Sequence, residues 1–205
     1  MLDTQYRMHP AISAFPSLTF YNSDLKDGTV KRDGSVVAGF EVPHTGYLED
    51  VNGQPTSMTF IDHDHPESPE MRSIANHGDA EIIGDIVVDL LLNNPDLRGS
   101  DIGVIAPYAA QIRAIDKKLN GDPVILDAMA DVLGSDRASE IQEIEIKTVD
   151  GFEGREKQVI IFSTVRSNHA GYIGFLADWR RLNVGVTRAK RVSNRTLVYL
   201  AGLGG

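Results

Sequence analysis

From Gln158 to Val165 the chain reads Gln-Val-Ile-Ile-Phe-Ser-Thr-Val, a near-continuous apolar run with no polar face to leave in water. A strand of that kind belongs in a parallel sheet, where helices cover both sides. Asp101 to Ala106 (Asp-Ile-Gly-Val-Ile-Ala) is a second short apolar strand, and Ala109 to Leu119 follows as a helix with Ile112, Ile115 and Leu119 along one face. Strand, short loop, helix is the rhythm of an α/β fold with a mainly parallel central sheet flanked by helices.

The remaining segments fit that frame. Asn76, with Asp79 three residues on, is an N-cap signal. Ile83, Ile86, Val87, Leu90 and Leu91 follow at helical spacing until Asn93-Asn94-Pro95 stops them. Pro10 opens a short helix carrying Ile12 and Phe15, which Pro16 restarts or bends. Tyr21 to about Gly53 reads as loops and short strands, and Ser57 to Ile61 as one strand, so residues 1–60 form an irregular opening segment. Residues 120–142 are an insert, helical over Val124 to Leu133 with a turn at Gly134-Ser135-Asp136. Glu143 to Val149 is a strand, Arg181 to Lys190 a helix through Leu182, Val186 and Ala189, and Thr196 to Ala201 a last strand at the edge of the sheet.

At 205 residues the chain suits a single domain, and 41% hydrophobic with 24% charged residues is ordinary for a globular protein. Absence of cysteine excludes disulfides and thiolate zinc sites. His63 and His65, alternating with Asp62 and Asp64, read as a solvated acidic loop rather than a metal site, so no metal ligand is expected here. The net charge of −9 argues against a generally basic nucleic-acid binder, although Arg155, Lys157, Arg166, Arg180, Arg181, Arg188, Lys190, Arg191 and Arg195 gather late in the chain while Glu41 to Glu81 is acid-rich. That asymmetry fits one phosphate-facing edge. No run approaches the roughly 18 apolar residues of a membrane helix, and no secretory signal precedes the first motif, so no membrane partner and an intracellular place, cytoplasmic or nuclear, are expected.

Three clusters carry chemistry: Gln5-Tyr6-Arg7-Met8-His9-Pro10, Thr148 to Glu156 (Thr-Val-Asp-Gly-Phe-Glu-Gly-Arg-Glu), and Leu182 to Ala189 (Leu-Asn-Val-Gly-Val-Thr-Arg-Ala), with Val104-Ile105-Ala106-Pro107-Tyr108 between the first two. In that order they resemble the motor motifs of the carboxyl-terminal, second RecA-like domain of superfamily 1 helicases, most nearly the nonsense-mediated-decay RNA helicase family. The resemblance covers nearly the whole chain. It implies a RecA-like domain of the P-loop-NTPase type lacking the P-loop itself, since no Gly-Lys pair occurs anywhere in the sequence.

The resemblance implies roles residue by residue. Arg7 and Arg188 match arginines that reach the γ-phosphate of ATP, where a permanently charged planar fork suits phosphate oxygens. Tyr6 matches the aromatic that stacks on the nucleobase, Glu156 the acid near the ribose hydroxyls, and Gln5 a neighbour in the nucleotide site that also shapes its loop. Pro107, Tyr108, Thr148 and Arg166 lie in strand-contacting segments. ATP and Mg²⁺ are the implied ligands, with magnesium held by a missing first RecA-like domain, and single-stranded RNA or DNA is the implied partner. A regulatory module without turnover and a degenerate fragment are the alternatives, and the start close to the first motif suggests a chain cut from a larger reading frame. Three features depart from the family: Glu153 replaces the usual glutamine, Gly185 stands where alanine is usual, and Arg191 to Thr196 intervenes before the last strand. His9 is read as structural.

Overall fold

The computed structural model describes residues 3–40, 42–49, 52–189 and 196–199. In chain order the strands are β1 (Thr4–Gln5), β2 (Lys26–Asp27), β3 (Met58–Phe60), β4 (Ser68–Glu70), β5 (Ser73–Ala75), β6 (Ile102–Ile105), β7 (Glu145–Lys147), β8 (Val159–Ser163) and β9 (Thr196–Tyr199). The helices are α1 (Pro10–Phe20), α2 (His77–Asn93), α3 (Ala109–Gly121), α4 (Pro123–Ala138) and α5 (Trp179–Val186). The main sheet runs β3-β9-β8-β6-β7 with every neighbouring pair parallel. Its architecture is the α/β parallel sheet covered by helices that the apolar runs call for, and it agrees with the RecA-like fold that the resemblance implies.

All five residues of β8 are buried, and the alternation of a strand divides them between two cores. Val159 and Ile161 join Ile102 and Val104 against α2, α3 and α4, represented by Ile83, Leu90, Ile115, Leu119 and Met129. Ile160 and Phe162 join Ile105 on the other face, under Met8 and Ile12, with Leu182 and Val184 of α5 packed alongside. The sheet is therefore covered on both sides, and the first motif is part of the second cover.

Helix α2 begins as its sequence signal requires: the Asn76 side chain accepts from the Asp79 N–H at 3.2 Å, and Asn94 caps the other end. Helix α1 differs from expectation. It continues through Pro16 to Phe20, and the backbone bond to the Ile12 carbonyl that a proline forgoes is offset by burial of both Ile12 and Pro16 on one helical face. In α4, Asp122 caps, Pro123 occupies the first turn, and Gly134 at φ 79° interrupts the helix, which then resumes to Ala138.

Strand β9 corrects another expectation. It lies between β3 and β8 rather than at an edge, so both of its sides carry ladder hydrogen bonds. Arg191 to Arg195 and the glycine-rich end, which the sequence marks as unusual, lie outside the described residues, as do Lys190 and Glu41. The loop read as solvated around His63 is also different. His63 Nε2 lies 2.8 Å from Asp79 Oδ1, with the His63 side chain 8% exposed and that of Asp79 fully buried.

Candidate nucleotide and nucleic-acid sites

The first motif is shaped from within by Gln5. Its Oε1 accepts from the Arg7 and Met8 N–H groups at 2.9 and 2.6 Å, while its Nε2 donates to the Met8 carbonyl at 2.8 Å and to Asp27 Oδ1 at 2.5 Å. The amide is thus turned into its own loop. Parallel pairing of β1 with β2 sets Gln5 opposite Asp27. The Tyr6 ring, 75% exposed, lies across Gly28, where an added Cβ would stand 2.2 Å from the ring. His9 caps α1, its Nδ1 accepting from the Ala11 N–H at 3.1 Å with Ser57 Oγ at 3.2 Å.

Arg7 points from this loop to the other two clusters. Its guanidinium pairs with Glu156 and donates through Nη1 to the Thr187 carbonyl at 3.1 Å, while its buried Nε has no hydrogen-bond partner. Arg188 donates through Nε to the Val184 carbonyl at 2.9 Å and through Nη2 to Thr187 Oγ1 at 3.4 Å. The two arginines meet at Thr187. A short parallel bridge, Lys157 with Ala189, and the Lys157 N–H on the Arg188 carbonyl at 3.2 Å dock the third cluster beside the second. Burial pushes the Arg188 guanidinium below its ordinary value, Arg7 adds to that, and Glu156 and Glu153 oppose it. Glu153 thus helps hold charge on an arginine.

Tyr6, Arg7 and Glu156 line one open cavity of about 660 Å³ with Phe40 and Gln158. An exposed aromatic face, a carboxylate and one guanidinium in this lining match the base, ribose and phosphate of a nucleotide, and Arg188 stands outside the lining, joined to Arg7 through Thr187. The residues fit such a ligand. Among the described residues no group of three or more acidic or histidine side chains is placed to hold a metal ion.

The strand candidates stand elsewhere. Pro107 and Tyr108 follow β6, Thr148 follows β7 and Arg166 lies three residues past β8, so all four emerge at the carboxyl edge of parallel strands. Open α/β sheets present their ligands to that edge. Tyr108 and Arg166 touch: the phenol oxygen accepts from Arg166 Nη1 at 3.4 Å and from the Phe175 N–H at 3.3 Å. Pro107 is buried. Thr148 Oγ1 accepts from the Gly151 N–H at 3.1 Å, which closes its own turn, and no hydrogen bond joins it to Tyr108 or Arg166 among the described residues.

Two carboxylates that sequence reasoning missed hold this edge. Glu67 Oε2 accepts from Arg166 Nε at 2.8 Å, the Ser167 N–H at 3.0 Å and Asn168 Nδ2 at 3.2 Å. Asp79 accepts from Ser163 Oγ at 2.5 Å and the Val165 N–H at 3.3 Å, and takes the His63 ring on its other oxygen. His63 Nδ1 accepts from the His65 N–H at 3.0 Å, which leaves Nε2 as the donor to Asp79. Val165 between them adopts φ 70°, a conformation β-branched residues avoid. Asn76 Nδ2 also reaches the Val165 carbonyl at 3.4 Å. The donors to Glu67 lie 99 to 101 residues away and Ser163 and Val165 lie 84 and 86 residues from Asp79, and nothing local signals these pairs.

Comparison with known proteins covers most of the chain. The AAA domain family matches residues 1–194. The probable helicase MAGATAMA 3 of Arabidopsis thaliana is 36% identical, covering 93% of this chain and 21% of the relative. Helicase sen1 of Schizosaccharomyces pombe is 38% identical over 93% of this chain and 10% of its own length, and the regulator of nonsense transcripts 1 homolog of Drosophila melanogaster 35% over 92% and 14%. The chain therefore spans between 10% and 21% of the length of these relatives. Among solved structures, the Hef helicase domain of Pyrococcus furiosus overlays on 62% of this chain and 26% of its own, at 16% identity and a TM-score of only 0.36.

Proposed function

The chain belongs to the AAA domain family, in the form carried by the carboxyl-terminal region of superfamily 1 helicases, and from that premise we propose that residues 1–205 are one RecA-like motor domain completing an ATP site shared with a first RecA-like domain. The observation that carries this reading is the meeting of three distant clusters: Tyr6, Arg7 and Glu156 line one cavity, and Arg7 and Arg188 both bond to Thr187. Tyr6 would receive the base on its exposed face and Glu156 the ribose hydroxyls. Magnesium bound with ATP would screen the phosphates, its ligands coming from the first domain. Arg7 and Arg188 would neutralise the charge that develops on the γ-phosphoryl group.

The existing contacts are compatible with that task. The Arg7–Glu156 pair is partly exposed, so it is worth about 0–1 kcal/mol and yields readily to a phosphate. The unpartnered Arg7 Nε is a buried donor that costs about 1–3 kcal/mol until an acceptor arrives. A phosphate oxygen would be such an acceptor. RNA or DNA would pass along the edge formed by Pro107, Tyr108, Thr148 and Arg166, gripped through its phosphates without base reading.

The test supplies the first domain by fusion and measures turnover, apparent ATP affinity and melting. Arg7→Ala and Arg188→Ala should each lower turnover by about 10³-fold or more with the fold intact, and lysine should rescue poorly because it lacks the planar fork. Tyr6→Ala should weaken ATP affinity more than maximal turnover, since stacking serves ground and transition states alike. Near-normal turnover in both arginine variants would remove the proposal. The chain alone should release no phosphate above the blank.

A further inference from the structure

The hairpin of β4 and β5 turns on two residues, Met71 and Arg72, with Glu70 opposite Ser73. Neither turn residue is explained by the fold. The Met71 side chain is fully exposed, at 100%, and its φ of 53° is one where a hairpin turn ordinarily takes Gly or Asn. Arg72 is exposed and makes no ion pair or hydrogen bond among the described residues. A thioether in water on a left-handed backbone weakens the turn, and outliers of that kind gather at functional positions.

The tip is also fixed in place. Ser73 Oγ accepts from the Ala110 N–H at 3.0 Å, tying the hairpin to the first turn of α3 directly after Pro107 and Tyr108. Met71, Arg72, Pro107, Tyr108 and Arg113 line one open cavity of about 570 Å³. Glu70 at the base of the tip, the carboxylate among the residues lining that cavity, lies 3.7 Å from Arg113 and 3.3 Å from His77, and Arg72 makes no ion pair among the described residues. A cation and an apolar, polarisable side chain beside an aromatic residue can grip a phosphodiester and the face of a base together.

We propose that the Met71-Arg72 tip is a single-strand contact of this domain, Arg72 holding a backbone phosphate and Met71 packing on the adjoining base. It rests on the reading of Pro107, Tyr108 and Arg166 as the strand-facing edge, which the hairpin extends past α3. The pairing of a cation with an exposed thioether selects a single strand, because an acidic peptide backbone would satisfy Arg72 but would give Met71 no planar partner.

The experiment titrates the 205-residue chain into labelled oligouridylate and oligothymidylate at several salt concentrations, with melting as a control. Arg72→Ala should weaken both by about three- to tenfold and make the salt slope shallower by about one phosphate contact. Met71→Gly relieves the backbone, so it should melt at or above the parent temperature and still bind more weakly with an unchanged salt slope. If Arg166→Ala weakens binding while both hairpin variants bind as the parent does, the hairpin contact is refuted and the edge stands. If the hairpin variants weaken binding and Arg166→Ala does not, the hairpin contact holds and the assignment of Arg166 falls. Binding that no variant alters, or none above background at low salt, overturns both.

Discussion

At the scale of single residues, the candidate site depends on side chains that serve the loop before they serve a ligand. Gln5 is consumed by Arg7, Met8 and Asp27, and His9 by the cap of α1. His9 gives a pH test with a definite sign. Burial lowers its pKa below 6.5, against a smaller opposing pull from Asp27, so the fold prefers the neutral ring whose Nδ1 accepts from Ala11. The unfolded chain binds the proton first. Stability should fall as pH drops below 6.5 and level off beneath the lowered folded value. His9→Asn keeps a capping acceptor that does not titrate, and its melting temperature should lose that part of the pH dependence. Identical pH profiles for the two proteins would show that the cap does not titrate with folding.

At the scale of elements, α5 and β8 decide how the third cluster meets the second. Gly185 looks from sequence like a weak point, since glycine costs about 1 kcal/mol relative to alanine in a helix. Packing reverses the sign. A Cβ at Gly185 would stand 2.2 Å from Phe162 Cε2, and Phe162 is fully buried in β8. Gly185→Ala should therefore destabilise by about 1–3 kcal/mol through overpacking, where helix propensity alone would give a gain of about 1 kcal/mol. Denaturant midpoints distinguish the two directly. The close approach of the Phe162 ring leaves no room for a side chain at this position. On the opposite face Asn76 joins elements rather than merely starting one. It caps α2, exchanges hydrogen bonds with Gln111 of α3, and holds the carbonyls of His65 and Val165.

At the scale of the whole molecule, charge is unevenly spent. A chain of net charge −9 presents its candidate strand edge with Arg166 already engaged by Glu67 and Arg113 near Glu70. Among the described residues, few cations at that edge are left to displace counterions. Binding of single strands by this chain should accordingly be weak and should weaken further as salt rises, which a labelled strand titrated at two salt concentrations would measure. Tight binding unchanged by salt would contradict a phosphate-based interface. Among the described residues no helix is long and apolar enough to cross a membrane.

The sequence by itself determined the α/β class, the buried parallel strands, the capped α2 and the identity of the motif clusters, because each is written in a local run of residues: apolar continuity, helical spacing, a capping asparagine. It did not place β9, since a strand's neighbours are set by crossovers and not by its own composition, and its interior position lets β3 join the sheet. Nor did it reveal that His63 is buried on Asp79, that Glu67 gathers three donors around Arg166, or that Gly185 lies on Phe162. Those contacts join residues far apart in the chain, so only the packed sheet and its two covers decide them. Arg7 and Arg188, 181 positions apart in number, meet at Thr187 for the same reason: α1 and α5 cover one face of the same strands.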